Sequence, residues 1–249
     1  MLKVSSLTRT FFDKKRGEFL AVDNLGFEAR PGQVFGLLGP NGAGKTTTLR
    51  MVAQILKPTK GKMTLDEKLL DMSPSSRRQI GFLSGSTGLY ERLTPREILI
   101  YFARLNGYAD KQLSERIDAV ISSFVLKEVA DTRCEKLSTG MRQRVSIARS
   151  VVHDPRLIIL DEPTSGLDVI AKQAIYKFIE TCKSREKIVL FSTHLMNEAE
   201  KLCDQIGILH KGQLFSTGTL ESLREATSKH YLEDIFLSIV HTEEIDDIS

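Results

Sequence analysis

Three observations predict an α/β chain with a largely parallel sheet. Short apolar β-type runs alternate with helical patterns, a glycine-rich loop follows one run, and two other runs lead into polar residues suited to phosphate chemistry. The runs are residues 34–38, 80–83, 157–160, 188–191 and 206–209. Each is continuously apolar, as strands buried on both faces are. Ahead of them, residues 2–7 and 19–27 read as antiparallel strands, and residues 62–66 join them in a small N-terminal side sheet. Between residues 94 and 154 the pattern becomes helical. Ile98, Tyr101, Phe102 and Leu105 share one helix face, as do Ile117, Val120, Ile121 and Phe124. This is a helical insertion between two strands of the main sheet. His210-Lys211-Gly212 reads as a hairpin turn, followed by a last helix and a C-terminal tail. The expected division is one domain, 1–249. It comprises an antiparallel β subdomain (1–30 and 61–70), a RecA-like parallel-sheet core (31–60, 71–84 and 154–216), a helical subdomain (85–153) and a C-terminal helix and tail (217–249).

Composition narrows the classes. A chain of 249 residues buries enough surface to need no disulfide or metal staple. Its three cysteines, Cys134, Cys182 and Cys203, form no C-x-x-C pair, which suits a reducing cytosol. The first ten residues lack an apolar signal core. The longest wholly apolar run, residues 98–103, falls far short of the ~18 residues a membrane helix requires. A net charge of +3 is too small for a dedicated nucleic-acid binder, so no nucleic-acid partner is expected. The Lys14-Lys15-Arg16 run and the acidic end, EEIDDIS, read as solvated segments.

Three strand ends carry chemistry. GPNGAGKTT, Gly39 to Thr47, fits G-x-x-x-x-G-K-[ST] directly after the strand VFGLL. Its glycines allow backbone N–H groups to approach phosphate oxygens at a helix start. Lys45 supplies a charge for the β- and γ-phosphates, and the Thr46 hydroxyl can ligate Mg²⁺. In LIILDEP, Asp161 at the strand end is the second Mg²⁺ candidate, and Glu162 projects toward the γ-phosphate, where it can polarise water. In IVLFSTH, His194 ends a third strand of the same sheet and is a candidate γ-phosphate contact. CEKLSTGMRQR poses a further question. Ser138 starts its own amphipathic helix, a good place to hold an anion, yet it lies about ninety residues from the phosphate loop.

The order of these motifs resembles the nucleotide-binding subunits of ABC transporters over nearly the whole chain. LSTGM, Leu137 to Met141, is similar to that family's LSGGQ signature, and RQRVSIARSVVHDPRLIILDEPTSGLD to its continuous signature, Walker B and D-loop block. The resemblance implies an ABC-type P-loop NTPase core that binds and hydrolyses ATP with Mg²⁺. It implies a shared site, in which Ser138 and Gly140 serve ATP held by a second cassette packed head to tail, a second copy of this chain being the expected partner. It assigns Gly39, Pro40, Asn41, Gly42, Ala43, Gly44, Lys45, Thr46 and Thr47 to the nucleotide. It gives Asp168 a D-loop role across the dimer and His194 the switch position. Phe11 takes the place of the adenine-stacking aromatic, with Phe12 and Phe19 as alternatives and a side-sheet core residue as the plain reading.

Departures from the family pattern matter too. Gly85 stands where members usually have a glutamine that contacts Mg²⁺, so water or a hydroxyl such as Ser84 or Ser86 must replace that contact. Thr139 and Met141 alter the signature. Hydrolysis is expected to persist with coupling unlike that of typical members. Residues 85–99 lie where the family forms a groove for a permease on a separate chain, and there Leu89 and Tyr90 are either anchors or ordinary packing. The resemblance is greatest to ATPase subunits of bacterial ABC-2-type exporters, and among them the sodium-exporting type, acting at the cytoplasmic membrane face. The rival is a soluble ABC ATPase working on ribosomes or DNA. Such proteins usually carry two cassettes in one chain or long coiled coils, and neither is present here.

Overall fold

The computed structural model describes residues 1–14, 17–84 and 88–246. Two long strands open it, β1 (Leu2–Asp13) and β2 (Gly17–Ala29), followed by β3 (Val34–Leu38) and α1 (Lys45–Val52). Next come β4 (Lys60–Leu65), β5 (Lys68–Leu69), the single turn α2 (Pro74–Arg77) and β6 (Ile80–Ser84). Three helices follow, α3 (Pro95–Leu105), α4 (Asp110–Ser123) and α5 (Thr139–Val151). The chain then alternates β7 (Leu157–Asp161), α6 (Val169–Ser184), β8 (Ile188–Thr193), α7 (Met196–Leu202) and β9 (Gln205–His210). It finishes with β10 (Gln213–Gly218), α8 (Leu220–Thr227) and α9 (Leu232–Asp246).

Six strands make the main sheet in the order β10-β9-β3-β8-β7-β6, parallel throughout except for the β9–β10 hairpin. The second sheet, β2-β1-β4-β5, is antiparallel. Side chains alternate faces along a strand, and the core divides accordingly. Val189 and Phe191 of β8 and Ile158 and Leu160 of β7 pack toward Ile98, Ile117 and Val145 of the helical region. Ile188 and Leu190, with Leu157 and Ile159, pack toward Leu49 and Met51 of α1 and toward Leu2 and Leu25 of the antiparallel sheet. Both faces are covered, which is why these strands read as unbroken apolar runs. Each such side chain contributes about 1.5–3 kcal/mol on full burial. A charge placed at one of these apolar positions of β7 or β8 therefore costs more than a surface ion pair returns.

The shift to helical character has a local cause. Thr94 caps α3 by accepting from the Glu97 amide, the Glu97 carboxylate accepts from the Thr94 amide in return, and Pro95 takes the first helical position.

Several boundaries differ from expectation. β1 continues past Leu7 to Asp13, and β2 spans Gly17–Ala29 rather than 19–27. Their outer halves are exposed or half-buried, so the hydrophobic alternation that marks a strand is lost there although pairing continues, Phe11 opposite Phe19. The C-terminal region holds two helices, not one. Ser228 takes a left-handed backbone (φ 55°) that ends α8, and α9 then packs Leu232 and Ile235 against Ala199 of α7. The backbone of α9 carries the acidic end as helix to Asp246.

Candidate functional site

At the carboxyl ends of β3 and β7, beside the β9–β10 turn, the loops line a cleft of about 650 Å³. Asp161 and His194 do not line it but touch its lining residues Thr46 and Glu162. Gly39 begins the loop after β3. A Cβ there would sit 2.1 Å from the Leu209 carbonyl oxygen, so only glycine lets the loop leave the strand beside β9. Gly39→Ala is expected to destabilise the fold by about 1–3 kcal/mol, as overpacking does. A thermal melt within 1 °C of wild type would contradict that packing. Gly44 adopts φ 102°, and a Cβ on it would come 2.7 Å from the Ala21 carbonyl. It precedes α1 and no side chain caps that helix, which leaves the helix start to an anion. The Ala43 carbonyl accepts from the Gly212 amide at 3.0 Å, bracing the loop against the β9–β10 hairpin.

Lys45 is 5% exposed and donates to the carbonyls of Gly39 (2.7 Å) and Pro40 (3.0 Å). Burial holds its pKa below the usual lysine value, opposed by the neighbouring Glu162 and Asp161 carboxylates. An ammonium has three donors, and a phosphate oxygen is a better acceptor than a carbonyl. The cleft thus suits a polyphosphate.

Thr46 donates to Asp161 Oδ1 at 3.2 Å, and Ser192 donates to the same oxygen at 2.6 Å. Among the described residues no cluster of three His, Cys, Asp or Glu forms a metal cage. One hydroxyl and one carboxylate beside a phosphate cradle instead fit Mg²⁺, which keeps waters and takes phosphate oxygens. Ser84, at the end of β6, lies opposite Asp161 in the register. Gly85 and Ser86 lie outside the described residues.

Glu162 follows with φ 47°, its amide donating to the Ser192 carbonyl (3.2 Å) and the Ser192 hydroxyl (3.1 Å). This turned backbone aims the side chain back over the loop. Its Oε1 is 3.5 Å from Lys45 Nζ and 3.2 Å from His194 Nδ1. Lys45, the adjacent pair Asp161 and Glu162, and His194, from three separate segments of the chain, are thereby brought to one place. Ser192 is a member that sequence reasoning missed; its signal was a polar residue near the end of an otherwise apolar strand.

The mouth of the cleft is aromatic. Phe11 and Phe19 both line it, stacked with centroids 5.7 Å apart, and Arg9 lies 4.6 Å from the Phe11 ring centre. Phe12 is 79% exposed and does not line it, which leaves Phe11 and Phe19 as the stacking candidates.

Ser138, Gly140 and Asp168 are elsewhere. None of them lines the cleft. Ser138 is exposed and caps α5, accepting from the Met141 amide at 3.2 Å. Asp168 caps α6, its Oδ1 accepting from Ala171 at 2.8 Å. A Cβ on Gly140 would lie 3.3 Å from that of Ala171, so the starts of α5 and α6 are neighbours.

A family model described as ABC transporter matches residues 22–165. The chain is 40% identical over 240 residues to the ABC transporter ATP-binding protein NatA of Bacillus subtilis, covering 96% of this chain and 97% of that protein. The chain belongs to the ABC transporter family. It is an ATP-binding, ATP-hydrolysing cassette of that family. The cassette is also 39% identical over 206 residues to the Nod factor export ATP-binding protein I of Cupriavidus metallidurans, covering 82% of this chain and 68% of that one. In three dimensions it is similar to the dimeric post-hydrolysis structure of the cassette MJ0796 bound to ADP and Pi. The TM-score is 0.78 at 25% identity, covering 88% of this cassette and 98% of that chain. Among the described residues no helix of the cassette is long and apolar enough to cross a membrane.

Proposed function

We propose that this cassette powers an exporter whose permease is a separate chain, and that two copies close head to tail on two ATP molecules at the cytoplasmic membrane face. The observation that carries this is the separation of two helix starts suited to phosphate. Lys45 and Thr46 line the cleft at α1, whereas Ser138 stands exposed at the start of α5, outside that cleft. A second cassette can bring its own Ser138 and Gly140 to the γ-phosphate on Lys45. The surface beside Ser138 suits such a partner, with Val169 and Ile170 next to Asp168 74% and 85% exposed. The similar MJ0796 cassette is itself dimeric in its structure with ADP and Pi, which supports a second cassette as the partner.

In this reading residues 39–47 wrap the phosphates and Lys45 holds the β- and γ-oxygens. Phe11, aided by Phe19, stacks on adenine. Thr46 and Asp161 hold Mg²⁺, which when bound neutralises charge on the phosphate oxygens. Glu162 orients and polarises the attacking water, His194 contacts the γ-phosphate and steadies Glu162, and Asp168 reaches the partner. Release of phosphate removes the shared anion, and the halves part.

The permease contact we assign is a second cleft of about 590 Å³, lined by Phe82, Leu89, Tyr90, Phe102, Arg149 and His153. Tyr90 is 52% exposed and suits a partner; Leu89 packs onto the core and suits the plain structural role. This cleft lies between β6 of the core and the proposed helical subdomain, 85–153, which also carries Ser138, so motion of a permease there would be passed to the body that closes on the partner's nucleotide. Sodium efflux is the cargo this reading names, on the sequence resemblance to sodium-exporting members.

If each site needs two cassettes, specific ATPase activity rises with cassette concentration and levels off once pairs dominate. A specific activity constant across a hundredfold dilution series would contradict the shared site.

A further inference from the structure

Glu198 of α7 is 2% exposed, and its two carboxylate oxygens accept four hydrogen bonds. Oε2 accepts from Thr164 Oγ1 (2.7 Å) and Thr193 Oγ1 (3.1 Å). Oε1 accepts from Lys172 Nζ (3.2 Å) and the Tyr176 hydroxyl (3.2 Å). Burial, then the Glu198 carboxylate, pushes the Tyr176 hydroxyl up to about 12, so it stays a donor at neutral pH. A buried carboxylate is costly unless fully partnered, and a buried ion pair is weak evidence for stability. What this one joins is more telling than what it stabilises.

Thr164 lies two residues after Glu162, and Thr193 is the residue before His194. A single carboxylate oxygen therefore ties together the two backbone segments whose side chains meet as Glu162 Oε1 and His194 Nδ1, 3.2 Å apart. The other oxygen ties both to α6, whose first cap is Asp168. Gln143 of α5 adds a strut from the helix that Ser138 begins, donating to the Pro163 carbonyl at 2.7 Å. Every element carrying a proposed reacting or partner-facing group after β7 thus meets at or beside this carboxylate.

We infer that Glu198 is a positioning residue for ATP hydrolysis, setting the separation and register of Glu162 and His194 and linking that pair to α6. The inference rests on the function proposed above. Glu198 touches neither Lys45 nor the phosphate loop, so it acts on the chemical step and leaves ATP binding alone.

The test is steady-state ATPase kinetics of full-length Glu198→Gln, which keeps the side-chain shape but removes the charge. Misplacement of reacting groups predicts that kcat falls about ten- to hundredfold, while KM for ATP stays within about twofold. In a His194→Ala background the same change costs less than about threefold more, because residues acting as one unit are not additive. A kcat near wild type, a KM that rises in step with the loss of kcat, or full additivity with His194→Ala overturns the inference. Should Glu198→Gln not fold, Thr164→Val and Thr193→Val decide. Lower kcat at constant KM in both supports it; unchanged kcat in both overturns it. A wild-type chain with no ATP turnover overturns the proposed function and this inference with it, whereas normal wild-type turnover beside an indifferent Glu198→Gln overturns the inference alone.

Discussion

Lys45→Ala is expected to lower ATP affinity about a hundredfold and to abolish measurable turnover. The ammonium is held against the loop by the Gly39 and Pro40 carbonyls, and burial already disfavours its charge when no phosphate is present. A polyphosphate returns that charge to a strong partner. Hydrogen bonds to charged groups are worth about 1.5–3 kcal/mol each. Losing the bonds to two phosphate oxygens therefore costs at least about 3 kcal/mol, or roughly two decades in Kd. Lys45→Met, which keeps most of the buried stem, should lose affinity equally, because the charge and not the packing is responsible. Titration with a fluorescent ATP analogue measures this directly. Wild-type affinity in both variants would refute the assignment of residues 39–47 to the phosphates.

Glu162→Gln is expected to separate binding from chemistry. The amide oxygen still accepts from Lys45 and His194, and the backbone bonds to Ser192 are untouched, so the cleft keeps its form. The carboxylate's capacity to take a proton from water is lost. General-base catalysis contributes about 10²–10⁴ in rate, and kcat should fall by that much. ATP affinity should stay within about threefold of wild type. A kcat within tenfold of wild type would show that another group activates the water.

The sheet was legible because five of its strands carry a central apolar run covered on both faces, with polar residues only at their ends. The phosphate loop, Asp161, Glu162 and His194 were equally plain, each set off from the apolar run beside it. The outer half of β1 was not, since Thr8 to Phe12 bury neither face well, and they are held by pairing and by contacts with distant residues such as Phe19 and Thr59. The break at Ser228 depends on a left-handed backbone that serine gives no warning of. Glu198 was hidden for a different reason. In MNEAEKL it looks like its neighbour Glu200, and its burial depends on Thr164, Lys172, Tyr176 and Thr193, which only the fold gathers. Chemistry that sits at the end of a strand can be read locally; a hub assembled from four segments cannot.

The central claim is that one cassette cannot complete its own site. Static light scattering of Glu162→Gln, alone at high concentration or bound to the proposed permease, tests this most directly. With saturating Mg-ATP the free variant should scatter at twice the mass of one chain, and return to one on removing nucleotide or on adding a Ser138→Arg change that blocks the facing surface. A single-chain mass under saturating Mg-ATP, and no second cassette in the permease-bound form, would contradict it.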